Sequence, residues 1–530
     1  MSDSPHRVPV RRAVTDLLRE LGITTIFGNP GSTELGLLQD FPKDFRYVLG
    51  LQESVVVGMA DGYAQATHNA AVVNLHSAAG VGHAMGNIFT ASKNQTPLII
   101  LAGQQSRSML PFEPFLFSER ATELPRPYVK WACEPARGED VPKAIARGYY
   151  TAMQPPQGPV FVSVPADDWS CSCGPVQIRR VSRAIRPDPQ LVAEIAKVLN
   201  RAVSPAFVVG AAVDREQAWD DVVALAERHR ARVWIAPMSG RNGFPEDHAL
   251  FAGFLPAARE PIVRLLTGHD FVLVIGAPAF SYHVDGVGPC VPPGATLAQL
   301  VDDPNQAAWT PEGISVLGSV QLGVRDLLTQ STPVDRPWPP AKAPAPTVDP
   351  CHPMTSAYVL HTLAAVRDPG SIIVEEATSA RVDMHQHLPI LRPETFYTMS
   401  SGGLGFGLPA AVGIALARPQ EKVIAVLGDG ASMYAIQGLW SAAQLRLPIT
   451  FLILKNRRYA VLRELAAFYG FSPEEAASLQ GTDLPAIDFV GLARSMGCGA
   501  VRVDAPRELP GALSESIQAK GPVVVEIDVA

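Results

Sequence analysis

Seven short apolar runs recur along the chain, at residues 72–76, 97–103, 160–165, 271–276, 423–428, 449–454 and 523–527, each rich in β-branched residues and most closed by a small or turn-forming residue. A continuous run of this kind, without polar alternation, belongs to a strand buried on both faces. Such strands occur in parallel sheets, and a parallel pair needs a crossover of a dozen or more residues. The stretches 140–150 and 220–229 have the helical pattern that such crossovers require. The fold class expected is therefore α/β, built as doubly wound parallel sheets.

Two segments interrupt this alternation. Residues 332–353 carry eight prolines and almost no apolar periodicity, which describes an extended, semi-rigid connector. A softer break lies at 174–189, an arginine-rich, proline-containing stretch. Cutting there gives three domains, 1–178, 179–340 and 341–530, as 530 residues lead one to expect. The composition is globular, with 47% hydrophobic and 18% charged residues, so disorder is excluded. A net charge of −7 without a basic block leaves no electrostatic footprint for nucleic acid. No stretch reaches the length of a membrane span, the amphipathic N-terminus lacks the apolar core of a signal peptide, and six scattered cysteines suit a reducing compartment. A cytoplasmic protein acting on a small molecule is the expectation.

The strongest local signal is the run 423–428 ending in Gly428-Asp429-Gly430, followed by a helical pattern at 435–444 and a second run, 449–454, ending in Lys455-Asn456. Asp429 and Asn456 are 27 residues apart (456 − 429), one strand-helix-strand unit, so both emerge at the carboxyl ends of neighbouring parallel strands. One carboxylate and one amide oxygen suit Mg²⁺, which takes its remaining ligands from phosphates and water. The glycines let backbone approach those phosphates. A diphosphate-bearing cofactor is the implied guest; a turn with an N-capping aspartate is the bland alternative.

With these motifs in place, the chain resembles the thiamin-diphosphate-dependent 2-keto acid decarboxylases, and among them the benzoylformate decarboxylase family. The resemblance also rests on residues 27–35 (FGNPGSTEL), 51–54 (LQES), 74–80 (NLHSAAG), Tyr282-His283 and 401–409 (SGGLGFGLP), and runs nearly end to end. It implies a pyrimidine-binding, a middle and a diphosphate-binding domain, with thiamin diphosphate and Mg²⁺ as cofactors. Glu53 would bond the aminopyrimidine and promote loss of the thiazolium C2 proton, helped by apolar neighbours that favour a protonated carboxyl. Leu404 would prop the cofactor into a bent shape and the Gly402 carbonyl would accept from its amino group. Thr378, Ser379, Gly428, Gly430, Tyr434 and Tyr459 would line the cofactor, and Asp429, Asn456 and the Arg458 carbonyl would hold the metal. Ser32, in the turn 29–32 and read as ending a strand, would bind the substrate carboxylate. His76 and His283, each read as ending a strand, would move protons. The other histidines, His68, His83 and His352 among them, receive no role.

The resemblance implies conversion of an aromatic 2-keto acid to an aldehyde and CO₂, with carboligation as a side activity, as in mandelate breakdown. It also implies a homo-oligomer, a tetramer, whose active sites lie at dimer interfaces. Val461, Leu462 and Leu465 would wall the substrate pocket. Glu464 and Leu465 stand where the family has an aromatic pair, which leaves the preferred acid open. Ala431 replaces a phosphate-binding serine that Ser432 could replace in turn. An acyloin- or acetolactate-forming synthase would need another acceptor pocket, and the two histidines argue against it. A catalytically silent subunit of the same fold is disfavoured by intact Glu53 and Asp429.

Overall fold

The computed structural model describes residues 7–340, 342–343 and 345–530. The first six residues of the N-terminus, and position 341, where the third domain is expected to begin, lie outside the described residues. Eighteen strands form three six-stranded sheets in which every pairing is parallel. The first contains β1 (Thr25–Gly28), β2 (Arg46–Leu49), β3 (Ala71–Leu75), β4 (Leu98–Gln104), β5 (Ala132–Cys133) and β6 (Val160–Pro165), in the order β2-β1-β3-β4-β6-β5. The second contains β7 (Pro205–Val209), β8 (Arg232–Ile235), β9 (Phe251–Phe254), β10 (Phe271–Ile275), β11 (Thr296–Val301) and β12 (Ile314–Leu317), ordered β9-β8-β7-β10-β11-β12. The third contains β13 (Ile372–Glu376), β14 (Phe396–Thr398), β15 (Val423–Gly428), β16 (Ile449–Lys455), β17 (Gly499–Val503) and β18 (Val523–Asp528), ordered β14-β13-β15-β16-β18-β17. Among the described residues, no helix is long and apolar enough to cross a membrane.

The first and third sheets share one topology. In each, the chain steps to one side after its first strand and to the other after its second, so the first and third strands flank a topological switch point. Ligands of open parallel sheets bind in the crevice at the carboxyl ends of those strands. In the first sheet the crevice is bordered by residues following Gly28 and Leu75; in the third, by residues following Glu376 and Gly428.

Four helices and a short turn of helix bring these crevices into use: α1 (Glu53–Thr67), α2 (Ser77–Lys93), α3 (Gly407–Ala417), α4 (Asp429–Met433) and α5 (Ala460–Ala466). Helices α1 and α3 pack against each other in a core common to the first and third sheets, with Val55, Met59 and Ala60 beside Leu408, Ala411 and Val412. Their backbones approach closely because the crossing is lined by glycine. A Cβ on Gly62 would lie 2.2 Å from the Ala410 carbonyl oxygen, and one on Gly413 would lie 1.9 Å from that of Met59. The middle sheet has its own cores, around Phe207 and Leu273 on one face and Val208 and Val274 on the other.

Three expectations about local structure are corrected. The helix expected at 435–444 starts only at Gly438; a separate short helix, α4, begins directly at Asp429. His283 does not end a strand, because β10 stops at Ile275 and a loop leads on to Tyr282 and His283. Ser32 lies in a short 3-10 turn, Ser32–Glu34, beyond the end of β1.

Candidate active site

Strands β15 and β16 pair in register with Gly428 opposite Leu454, which brings Asp429 and Asn456 to adjacent strand ends. Asp429 is 4% exposed, and its two oxygens accept from the backbone N–H groups of Gly430 (2.8 Å) and Arg457 (2.7 Å). Burial pushes its carboxyl above the ordinary aspartate range against the pull of those two donors. Among the described residues it has no ion-pair partner. Asn456 turns its Oδ1 onto the N–H of Arg458 at 3.1 Å, closing a tight turn in which Arg457 takes a left-handed φ of 58°. Beyond it, Tyr459 N–H donates to the Thr482 carbonyl and Leu484 N–H to the Arg457 carbonyl. That pairing skips the Arg458 carbonyl, which meets no backbone donor among the described residues. A buried carboxylate short of positive charge, an amide oxygen and a free carbonyl at one strand-end cluster are the donor set of Mg²⁺ bound together with a diphosphate. No group of three or more His, Cys, Asp or Glu able to hold a metal occurs among the described residues.

The surroundings suit a diphosphate tail. A Cβ on Gly430 would meet the Tyr459 ring at 2.5 Å, so backbone and ring are in contact there. Thr378 and Ser379 form a 3-10 turn after β13, on the other side of the switch point. Tyr434 is largely exposed at the rim. Ser432 does not stand in for the missing serine: it is fully buried and donates to the Gly428 carbonyl at 2.8 Å.

Leu404 sits in a loop whose shape comes from a residue the sequence reading passed over. Glu376, the last residue of β13, is buried and accepts from the N–H groups of Gly405, Phe406 (3.3 Å) and Gly407 (2.7 Å), fixing the loop where it enters α3. Burial outweighs those donors and lifts its carboxyl up to about 7. Gly402 and Gly405 have φ of 73° and 102°, which a side chain would resist. Asn87 of α2 ties this loop to α1, donating to the carbonyls of both Gly405 (3.0 Å) and Ser54 (2.7 Å).

At the first sheet's switch point, Glu53 is the first residue of α1, with its side chain 12% exposed. The expected apolar setting is corrected. Asn29 Nδ2 approaches one carboxyl oxygen at 3.4 Å and His83 Nδ1 the other at 3.1 Å. His76 directly precedes α2, and its Nδ1 lies 2.9 Å from Oε2 of Glu34 and 3.1 Å from Oγ1 of Thr33. Glu34 is 1% exposed and also accepts from the Gly31 N–H at 2.8 Å. Gly31 has to be glycine here, since a Cβ would fall 2.2 Å from the imidazole. Gly80 of α2 packs on Glu53, its Cβ position 3.4 Å from Cγ, so Glu53 and His76 flank the first turn of one helix; Ser32 lies in the chain between Gly31 and Thr33, the residues that meet the His76 ring. The exposed His283 side chain has no partner among the described residues and does not join this group within the chain. Val461, Leu462 and Leu465 lie on α5, partly or fully accessible; Glu464 is exposed, and Arg463 is the residue that turns onto Asp483 and Thr482.

Glu34, Glu376, Asn87 and His83 were thus missed. Glu34 was signalled by the Gly-Ser-Thr-Glu turn, whose glutamate returns to its own backbone. His83 was signalled by spacing, seven residues after His76 and so two turns along the same helical face.

Known proteins match nearly the whole chain. The N-terminal TPP binding domain of thiamine pyrophosphate enzymes matches residues 9–121, the central domain 192–327 and the C-terminal TPP binding domain 376–527. The chain is 44% identical over 98% of both sequences to benzoylformate decarboxylase of Pseudomonas aeruginosa. Against the acetolactate synthase large subunit of Parasynechococcus marenigrum, identity is 26% over 100% of the chain and 88% of the relative. Among solved structures, benzoylformate decarboxylase from Polynucleobacter necessarius superposes with a TM-score of 0.96 at 40% identity, covering 98% of each chain. The thiamine diphosphate-dependent 4-hydroxybenzoylformate decarboxylase of Rhodococcus jostii RHA1 gives 0.93 at 38%, covering 98% and 99%. Two crevices that suit the two ends of one cofactor, on a chain aligned throughout with proteins that bind it, lead to one conclusion: the chain belongs to the thiamine pyrophosphate enzyme family.

Proposed function

We propose that the protein is a thiamin-diphosphate- and Mg²⁺-dependent carboxy-lyase that converts an aromatic 2-keto acid of the benzoylformate type into an aldehyde and CO₂, as a step of mandelate breakdown. The observation that carries this reading is His76, locked by the buried Glu34 carboxylate at the start of the helix whose Gly80 packs on Glu53. A titratable group is thereby fixed where a keto acid would meet the cofactor. When bound, the cofactor supplies the carbon nucleophile for the keto carbon and the ring that accepts the electrons left as CO₂ departs. The protein's own residues do the rest. Asp429, Asn456 and the Arg458 carbonyl hold Mg²⁺ and with it the diphosphate; Gly428, Gly430, Thr378, Ser379, Tyr434 and Tyr459 surround that tail. Leu404 would support the cofactor from below its rings, and the Gly402 carbonyl would accept from its amino group. Glu53 would exchange a proton with the pyrimidine ring of the bound cofactor. Ser32 donates to the substrate carboxylate, while His76 and His283 deliver protons to the substrate oxygen and the departing product.

Val461, Leu462 and Leu465 form an aliphatic wall for the substrate ring, and the exposed Glu464 leaves that wall apolar. The three domains divide at the two proline-bearing linkers, near 178 and 340. The active protein is a cytoplasmic homotetramer with each site shared between two chains. The exposed Leu35, Leu49 and Leu51, near Ser32 and Glu53 in the chain, supply an apolar surface for a second copy to cover, and the exposed His283, without a side-chain partner among the described residues, is available to complete a neighbour's site.

Purified apoprotein given thiamin diphosphate, Mg²⁺ and a panel of 2-keto acids, with aldehyde followed through a coupled alcohol dehydrogenase, tests this reading. Aldehyde from benzoylformate or its 4-hydroxy analogue is expected. Acetolactate from pyruvate with no aldehyde from any acid would make the protein a synthase instead.

A further inference from the structure

Helix α2 presents a further histidine, His83, to the carboxylate of Glu53, whereas His76 at its start is held by Glu34. His83 lies two turns after His76, with Gly80 between them on that face. Its Nδ1 is 3.1 Å from Oε2 of Glu53, and its side chain is 65% exposed. Its backbone is held as well: Gln52 donates to the His83 carbonyl at 3.4 Å while its own Oε1 caps α1 by accepting from the Val55 N–H. Glu53 is therefore gripped from α2 on one carboxyl oxygen. The other, Oε1, has the long contact with Asn29 and the bare flank of Gly80, whose Cβ position is 3.5 Å away.

A glutamate side chain has three rotatable bonds, and fixing one oxygen decides where the other points. We propose that His83 is a positioning residue for Glu53: its Nδ1–H holds Oε2 so that Oε1 faces the pyrimidine ring of the bound cofactor. This rests on the role given to Glu53 above. The competing account is an exposed ion pair with little consequence for stability and none for turnover. The two accounts differ in what they move. A positioning contact acts on the rate at saturating substrate and on cofactor affinity through Glu53 alone; a surface pair acts on neither.

The experiment compares His83→Leu, His83→Asn and His83→Gln with Glu53→Gln and the double variant His83→Leu/Glu53→Gln. Readouts are kcat and KM of the reconstituted enzyme, quenching of tryptophan fluorescence as apoenzyme binds thiamin diphosphate with Mg²⁺, and the thermal midpoint. His83→Leu should lower kcat about tenfold or more, leave KM within about twofold and weaken cofactor binding about fivefold, with the midpoint within about 1 °C of the parent. His83→Asn, whose amide nitrogen can take the place of Nδ1, should recover kcat to within about threefold, and His83→Gln should not. In the Glu53→Gln background, His83→Leu should change cofactor binding no further, because both act through one contact. Parental kcat and cofactor affinity in His83→Leu, an undiminished effect in the Glu53→Gln background, or no recovery by His83→Asn would each overturn the proposal. A Glu53→Gln rate within about tenfold of the parent would overturn the role of Glu53, and His83's with it.

Discussion

Replacing Gly413 by alanine tests the packing of α3 on α1 that joins the first and third sheets within one chain. The added Cβ would lie 1.9 Å from the Met59 carbonyl oxygen and 2.7 Å from the Tyr63 nitrogen, both backbone atoms of α1 that no rotamer change can move. Ordinary contact at about 3.4 Å requires α3 to retreat by about 1.5 Å, and a gap of even 0.5–1 Å costs apolar neighbours roughly a quarter to a half of their dispersion attraction. Overpacking by one methyl group costs about 1–3 kcal/mol where neighbours can adjust. Here they cannot, so the upper end applies, offset by about 1 kcal/mol of helix propensity gained over glycine. A net loss of about 2 kcal/mol lowers the melting temperature by roughly 4–8 °C for domains of this size. Gly511→Ala is the control: it is also helical, but nothing lies within 4 Å of its Cβ position, so up to about 1 kcal/mol of stabilisation is expected. Differential scanning calorimetry of both variants, with cofactor stoichiometry measured on each, decides the matter. If Gly413→Ala melts with the parent or above it, α1 and α3 are not in the contact described.

Asp429→Ala should leave the apoprotein folded and weaken Mg²⁺-dependent cofactor binding by about a hundredfold or more in a fluorescence titration; binding within threefold of the parent would remove Asp429 from the metal site. Glu34→Gln should lower kcat about tenfold or more with little change in KM, because His76 loses the carboxylate that orients it; an unchanged kcat in steady-state assays would leave Glu34 a structural residue only. Glu376 predicts a pH effect. Its folded-state value of about 7 lies above the ordinary 4.5, so the folded protein retains a proton that the unfolded chain has lost. Stability should therefore fall as pH rises from about 4.5 to 7, by about 3 kcal/mol at most, and level off above. Glu376→Gln has no such group, so its melting temperature relative to the parent should climb across that window; parallel curves from pH 5 to 7.5 would contradict the burial argument.

The parallel sheets were legible because a strand buried on both faces has to be apolar throughout, as 423–428 and 449–454 are. The pairing of Asp429 with Asn456 followed from the same periodicity. Relations between elements distant in sequence were not legible. Nothing in the run 372–376 announces that Glu376 will receive three N–H groups from residues 405–407, because those donors are backbone and leave no trace in the side chains. The polar partners of Glu53 escaped for a related reason: Asn29 and His83 come from a loop and a helix that only the fold brings together. The helix expected at 435–444 fails at its start because the backbone after Asp429 forms its own short helix and then a turn, which apolar spacing does not show. His283 illustrates the reverse error, an apolar run extended past its last ladder hydrogen bond at Ile275.

The central claim is that one cofactor is gripped at its two ends by the crevices described, and a crystal structure of the protein with thiamin diphosphate and Mg²⁺ tests it most directly. The account predicts Mg²⁺ coordinated by Asp429, Asn456 and the Arg458 carbonyl, and the pyrimidine ring nitrogen within hydrogen-bonding distance of a Glu53 oxygen. Mg²⁺ held by other residues, or Glu53 turned away from the ring, would contradict it.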